Sequence, residues 1–306
     1  MTDLPTYALA AGTVLLVGGF AYAAWADARE REVTDALWQF LGVAGFIIGL
    51  VATAPGGLVP TLLWAVVGLF VLQHLFPWDT RLGPSAERYA DIIELVIYVA
   101  VIMLVAIAAA RVGVGPTGVP VTVIAVLVTV LFARGLFEAG ILFGGADAKA
   151  LMIAGLLVPL FPHPLIPQPA SVAPLTTILP FAVNVLMNAA LFSVAVPVVI
   201  AIRNLRAGEF RGISGFVGYS IPVDDLPKKF VWVRDPTFGD AREEERDIET
   251  SEDDRRRREG IAADLKSRGV SRIWVTPQIP FLVLMAAGVL AALLAGNVLF
   301  DLLFRL

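Results

Sequence analysis

An all-α polytopic membrane protein is the fold that the sequence predicts, and three observations predict it. Of 306 residues, 58% are hydrophobic and only 16% charged, a balance outside that of ordinary soluble domains. Several apolar runs reach the roughly 20 residues needed to cross a hydrocarbon core about 30 Å thick. The runs also lack the period-2 alternation and even spacing of a membrane β-barrel. About eight transmembrane helices are expected, within a range of six to eight, with a small mixed insert before the last one.

The expected spans fall near 4–25, 37–54, 58–76, 91–110, 119–141, 148–161, 177–202 and 279–304. The first run ends in AYAAWA, which offers small-residue cleavage positions. Its n-region MTDLPTY, however, carries an aspartate and no cation, so the run reads as a helix rather than a signal peptide. PGG at 55–57 and VGVGPTG at 112–118 supply tight turns, and the proline-rich PHPLIPQPASVAP at 162–174 separates the sixth and seventh runs. The sixth run is short enough to suit a re-entrant segment, but the charge pattern favours a full crossing.

The formal net charge of −4 hides a strong segregation, because fifteen of the 23 lysines and arginines lie in 203–276. Arg29, Arg31, Arg81, Arg88 and Lys149 fall on the same side as that stretch if the amino terminus is outside, which leaves Arg111 and Arg305 opposite. Cations mark the cytoplasmic face, so that orientation is expected, in the plasma membrane. The division expected is a membrane core over 1–202, a cytoplasmic insert over 203–276 and a last transmembrane helix over 277–306. Within the insert, 210–236 mixes glycine, proline and β-branched residues and suggests a partly β region. Residues 241–270 interleave charges and read as a solvated helix or linker. The run Arg255–Arg258 could attract nucleic acid or anionic lipid, but acidic neighbours within 243–254 cancel much of its field, and no nucleic-acid partner is expected.

Candidate chemistry lies in FGGADAKAL, 143–151, which places Asp147 and Lys149 beside apolar runs. Ionisable residues at membrane depth are costly and mark functional sites. Asp27 follows the first apolar run directly. Four crossings separate it from Asp147, an even number, so both face the same side. Two carboxylates held close share one proton. The ionised one can draw a proton from a water that attacks a peptide carbonyl, while the protonated one donates to the carbonyl oxygen. Glycines beside Asp147 let an extended substrate approach. Such a dyad needs no metal and no cofactor. The absence of cysteine and the two distant histidines also argue against a zinc site.

Gly144, Gly145, Ala146 and Asp147, extended to GADAK, resemble the motif of the GxGD-type membrane aspartic proteases, specifically the type IV prepilin and preflagellin peptidases (peptidase A24). DAREREVTDALW at 27–38 is similar to the segment carrying that family's first catalytic aspartate, with Asp35 where asparagine is often found. WVTPQIPFLVLMAAG at 274–288 resembles the opening of the last helix in the archaeal branch. The resemblance implies Asp27 and Asp147 as catalytic residues. It also implies substrates with a basic leader before a hydrophobic helix, cleaved at the cytoplasmic face of the bilayer. Bacterial-type members carry a tetracysteine zinc segment and methyltransferase activity; with no cysteine here, the resemblance implies the peptidase-only archaeal branch.

Other polar residues have competing readings. Arg134 and Glu138 can pair four apart on one helix face, or Glu138 can receive the basic end of a substrate, as can Glu30, Glu32 and Asp35. Lys149 can tune Asp147 or snorkel to the interface. Asn184 and Asn188 share a face suited to interhelical hydrogen bonds. Trp25, Trp38 and Trp274 flank spans as belt residues, and His74 and His163 fall at an interface and in a loop. Two rival functions stay open: a proton-coupled transporter or channel relaying through Asp147 and Glu138, and a presenilin-like protease cutting within transmembrane helices.

Overall fold

Proline and glycine set most helix ends in the computed structural model, which describes residues 5–76, 84–142, 144–162, 165–166, 179–233 and 251–305. Phe143, Arg81, His163, most of the 162–174 segment, residues 234–250 and the side chains of Arg88 and Arg305 lie outside the described residues. Helix α1 (Thr6–Glu30) starts behind Pro5 and stops at Arg31, whose φ of 56° is the left-handed cap. Helices α2 (Asp35–Thr53) and α3 (Leu58–Leu75) form a hairpin turned by Gly57 at φ 101°, a backbone that only glycine adopts cheaply. Gly49 makes the hairpin close: a Cβ there would lie 1.7 Å from the Trp64 ring. Helices α4 (Pro84–Val112) and α5 (Val121–Glu138) are joined by the glycine turn, where Val119 N–H donates to the Gly113 carbonyl at 3.0 Å.

Helix α6 (Gly145–Leu157) is the axis of the bundle, buried along Ala150–Leu157 and packed by α1, α2, α3 and α5. Its 13 residues span only about 20 Å, short of a hydrocarbon core. It ends where it does because Pro159 excludes the helical conformation for Val158 before it. Protein rather than lipid surrounds it, so it needs no bilayer length. Helices α7 (Phe181–Ser193) and α8 (Ala195–Arg206) form one apolar segment broken at Val194, because in an unbroken helix the Pro197 ring would meet the carbonyl of Ser193, four residues before it.

The run expected as one span over 279–304 is two helices, α10 (Phe281–Ala295) and α11 (Val298–Arg305). The break falls at Gly296, φ 75°, and polar groups hold it. Asn188 Nδ2 donates to the Gly296 carbonyl at 2.9 Å and its Oδ1 accepts from Val298 N–H at 2.9 Å. Asn297 Nδ2 donates to Asn184 Oδ1 at 3.0 Å. Among the described residues, six helical segments are long and apolar enough to cross a membrane: Thr6–Glu30, Asp35–Gly56, Leu58–Leu75, Ile92–Val112, Val121–Glu138 and Phe181–Arg206. The chain is an all-α multi-pass membrane protein.

Between α8 and α10 stands a small extramembrane unit. Strands β1 (Tyr219–Pro222), β2 (Val231–Val233) and β3 (Arg272–Pro277) form an antiparallel sheet ordered β1-β3-β2, with Tyr219 opposite Val275 and Val231 opposite Pro277. Helix α9 (Ser251–Ser267) packs on it, and Ile221, Leu226, Val231, Ala262, Leu265 and Val275 form a second core. The charged stretch is therefore not simply solvated, for its inner face is apolar. Asn204 docks the unit onto α8 by donating to the Gly215 and Gly218 carbonyls at 2.8 and 2.7 Å.

Two of the three tryptophans expected in an interfacial belt are placed otherwise. Trp38 is 0% exposed and stacks edge-on against Phe20 in the core. Trp274 lies in β3, under the Arg211 guanidinium. Trp25 is exposed at the end of α1, with Arg29 over its ring. Asn188→Ala would leave a buried carbonyl and N–H unpaired at the α10–α11 break. It is expected to cost about 2 kcal/mol, read as a lowered unfolding midpoint in detergent relative to an exposed control such as Ser193→Ala.

Candidate active site

Helix registers bring the aspartates to one end of the bundle, the end that carries the extramembrane unit. Asp27 lies in the last turn of α1. The chain reverses four residues later at Arg31, where both the backbone N–H and the guanidinium Nη1 donate to the Asp27 carbonyl, at 3.2 and 3.1 Å. Arg31 is the only non-glycine residue with positive φ among the described residues, and these bonds hold it in that conformation. The Asp27 carboxylate reaches a partner 255 residues away in sequence: its Oδ2 accepts from the Leu282 backbone N–H at 3.0 Å. Leu282 is in the first turn of α10, whose N–H groups have no carbonyl within their own helix.

Asp147 is the third residue of α6, after Gly144 as cap. Its carboxylate folds back to accept from the Gly144 N–H, the acidic half of a capping box. Glycine at 144 leaves that fold uncrowded, since a Cβ there would stand 3.1 Å from Asp147 Oδ2. A Cβ at Gly145 would meet nothing within 4 Å, so the first residue of α6 faces open space. Ala146 packs on the core. Asp27 and Asp147, on the packed helices α1 and α6, lie within range of each other's charge. This is the geometric relation that the parity of crossings leaves undetermined.

The other candidates have separate tasks. Lys149 reaches across to Asp35 and ties the start of α6 to the first turn of α2, so it snorkels onto a named partner. Arg134 pairs with Glu138 at 2.8 Å and reaches Glu94 on α4 at 3.4 Å. Glu138 therefore belongs to a latch between α4 and α5. Beside that latch, His74 is hydrogen-bonded to the Tyr98 hydroxyl at 3.1 Å and packs against Phe70. Among the described residues, no group of three or more His, Cys, Asp or Glu side chains is placed to hold a metal.

Sequence reasoning missed the Leu282 N–H and Arg31 as neighbours of Asp27. A signal for the first was present: Pro280 before an apolar run marks a helix start, and a helix start offers free donors.

Residues 213–298 match the family described as Archaeal Peptidase A24 C-terminus Type II. The matched region contains the sheet, α9 and α10, and hence the donor that reaches Asp27. Comparison with curated proteins returns no match.

The Lys149–Asp35 pair is partly exposed, and a double-mutant cycle with Lys149→Met and Asp35→Asn is expected to give a coupling of less than about 1 kcal/mol. Unfolding midpoints of the four variants in detergent measure it.

Proposed function

We propose that the chain, whose residues 213–298 match the archaeal peptidase A24 C-terminus, is a peptidase of that family, a membrane aspartic endopeptidase with Asp27 and Asp147 as its catalytic pair. The observation that carries the reading is that two carboxylates from distant parts of the chain stand at one end of the bundle, on packed helices and within range of each other's charge. Like charges held close favour a single shared proton. The ionised carboxylate takes a proton from water as the water oxygen attacks the scissile carbonyl. The protonated carboxylate donates to the carbonyl oxygen, which gives a neutral tetrahedral diol. On its collapse the carbon–nitrogen bond breaks, the departing nitrogen receives the proton held by the first carboxylate, and a diol hydroxyl returns its proton to the second, which restores the singly protonated pair.

The substrate class proposed is a prepilin or preflagellin type, a basic leader followed by a hydrophobic helix. The open space at Gly145 suits an extended backbone passing Asp147, and Glu30 and Glu32, close after Asp27 in the chain, suit a cationic leader. A cytoplasmic site is supported by position, because the aspartates share their end of the bundle with the arginine-rich unit of 203–276.

Asp27→Asn and Asp147→Asn are each expected to lower kcat at least about 100-fold on a purified prepilin-type reporter while keeping the wild-type unfolding midpoint. Full-rate cleavage by either variant refutes the assignment. Gly144→Ala, which crowds Asp147 Oδ2, is expected to lower kcat about tenfold with little change in midpoint. A cleavage map that places the cut inside the hydrophobic helix would exclude the leader-peptidase specificity.

A further inference from the structure

The extramembrane unit grips the residues that lead into Leu282. Gln278, four residues before it, donates from its backbone N–H to the Phe230 carbonyl at 3.0 Å. Its side-chain amide donates to Asp254 Oδ2 at 3.0 Å. The same oxygen pairs with Arg258. Asp254 and Arg258 are only 7% and 4% exposed, on a helix whose other charges face solvent. A buried ion pair adds little stability over apolar packing, but it fixes orientation, and here it orients the oxygen that Gln278 uses. The Phe230 ring takes two guanidinium groups, Arg258 at 5.6 Å and Arg31 at 5.1 Å from its centroid. Arg31 in turn holds the Asp27 carbonyl. Asp27 is thus held at its main chain through Arg31 and at its carboxylate through Leu282, and both lines run back to the β2–α9–Gln278 corner.

We infer that Gln278 is a positioning residue for Asp27: bonded to Phe230 and Asp254, it sets the start of α10 so that the Leu282 N–H meets Asp27 Oδ2. The carboxylate is then fixed in one rotamer, with Oδ1 left for the reaction. The unit formed by β1–β3 and α9 acts as a clamp on the first and last long helices, and its contribution is to geometry rather than to substrate contact. The effect on turnover rests on the reading of Asp27 as catalytic; the clamp itself does not.

The test uses the full chain in nanodiscs, with hydrogen exchange resolved at the Leu282 amide and steady-state kinetics on the same reporter. Gln278→Met keeps the side chain's length and cannot donate. It is expected to speed exchange at Leu282 about tenfold and to lower kcat about tenfold with KM within about twofold. Asp254→Ala removes the same bond from the other side and is expected to give the same pair of changes. Asp27→Ala, which removes the acceptor, is expected to speed Leu282 exchange without reference to any substrate. Wild-type exchange in Gln278→Met and Asp254→Ala overturns the clamp, and a rise in KM alone overturns the positioning role. Faster exchange with unchanged kcat overturns the positioning role. Full cleavage by Asp27→Asn would instead refute the aspartyl reading, while the exchange data would still report on the clamp.

Discussion

A helix start has N–H groups without carbonyls, and a carboxylate at the end of an apolar helix lacks donors. The bond from Leu282 to Asp27 cancels both deficits at once, and much of the structure is arranged to permit it. Helices α1 and α10 pack along each other. Small residues let the backbones come close: a Cβ at Gly288 would meet the Val185 carbonyl at 2.5 Å, and one at Gly12 would meet the Leu157 carbonyl at 2.2 Å. Close packing of this kind is what holds helices together where lipid supplies no hydrophobic drive. It also sets the distance between α1 and α6, and hence between Asp27 and Asp147.

Polar groups elsewhere in the bundle follow the same logic of mutual satisfaction. At the end away from the aspartates, Asn184, Asn188 and Asn297 stitch α7 to the α10–α11 break. At the aspartate end, Lys149 bridges α6 to α2, and Arg134 joins α5 to α4. Helix α4 otherwise presents a row of exposed apolar side chains, Ile92, Val96, Val99, Met103 and Ile107, as a lipid-facing helix does. The ends of the bundle are therefore fixed by hydrogen bonds and ion pairs, and its middle by shape.

Much of this was legible in the residues and some of it was not, for identifiable reasons. Asp27 and Asp147 stood out because charge is rare beside apolar runs, and the turns at Gly57 and Gly113 because glycine is needed there. Burial was illegible: in a bilayer both the lipid-facing and the protein-facing sides are apolar, so nothing in the sequence separates Trp38, wholly buried, from Trp25, half exposed. The apolar run 148–161 is longer than the helix it contains, because it includes Val158–Phe161, where proline has already ended α6. The α10–α11 break was hidden because a single glycine in an apolar run is ordinary. For the Leu282 donor, Pro280 marks a helix start with free N–H groups, but sequence does not show which carboxylate meets them.

Asp27 and its donor are 255 residues apart in the chain. During synthesis the first helix and α6 are therefore delivered well before residue 282. Until α10 arrives, the Asp27 carboxylate has no Leu282 N–H to hold it, and the corner that aims that donor is also unmade. A nascent chain that ends before α10 has both aspartates but not this donor. Arrival of α10 is thus the step that joins the start of the bundle to its end.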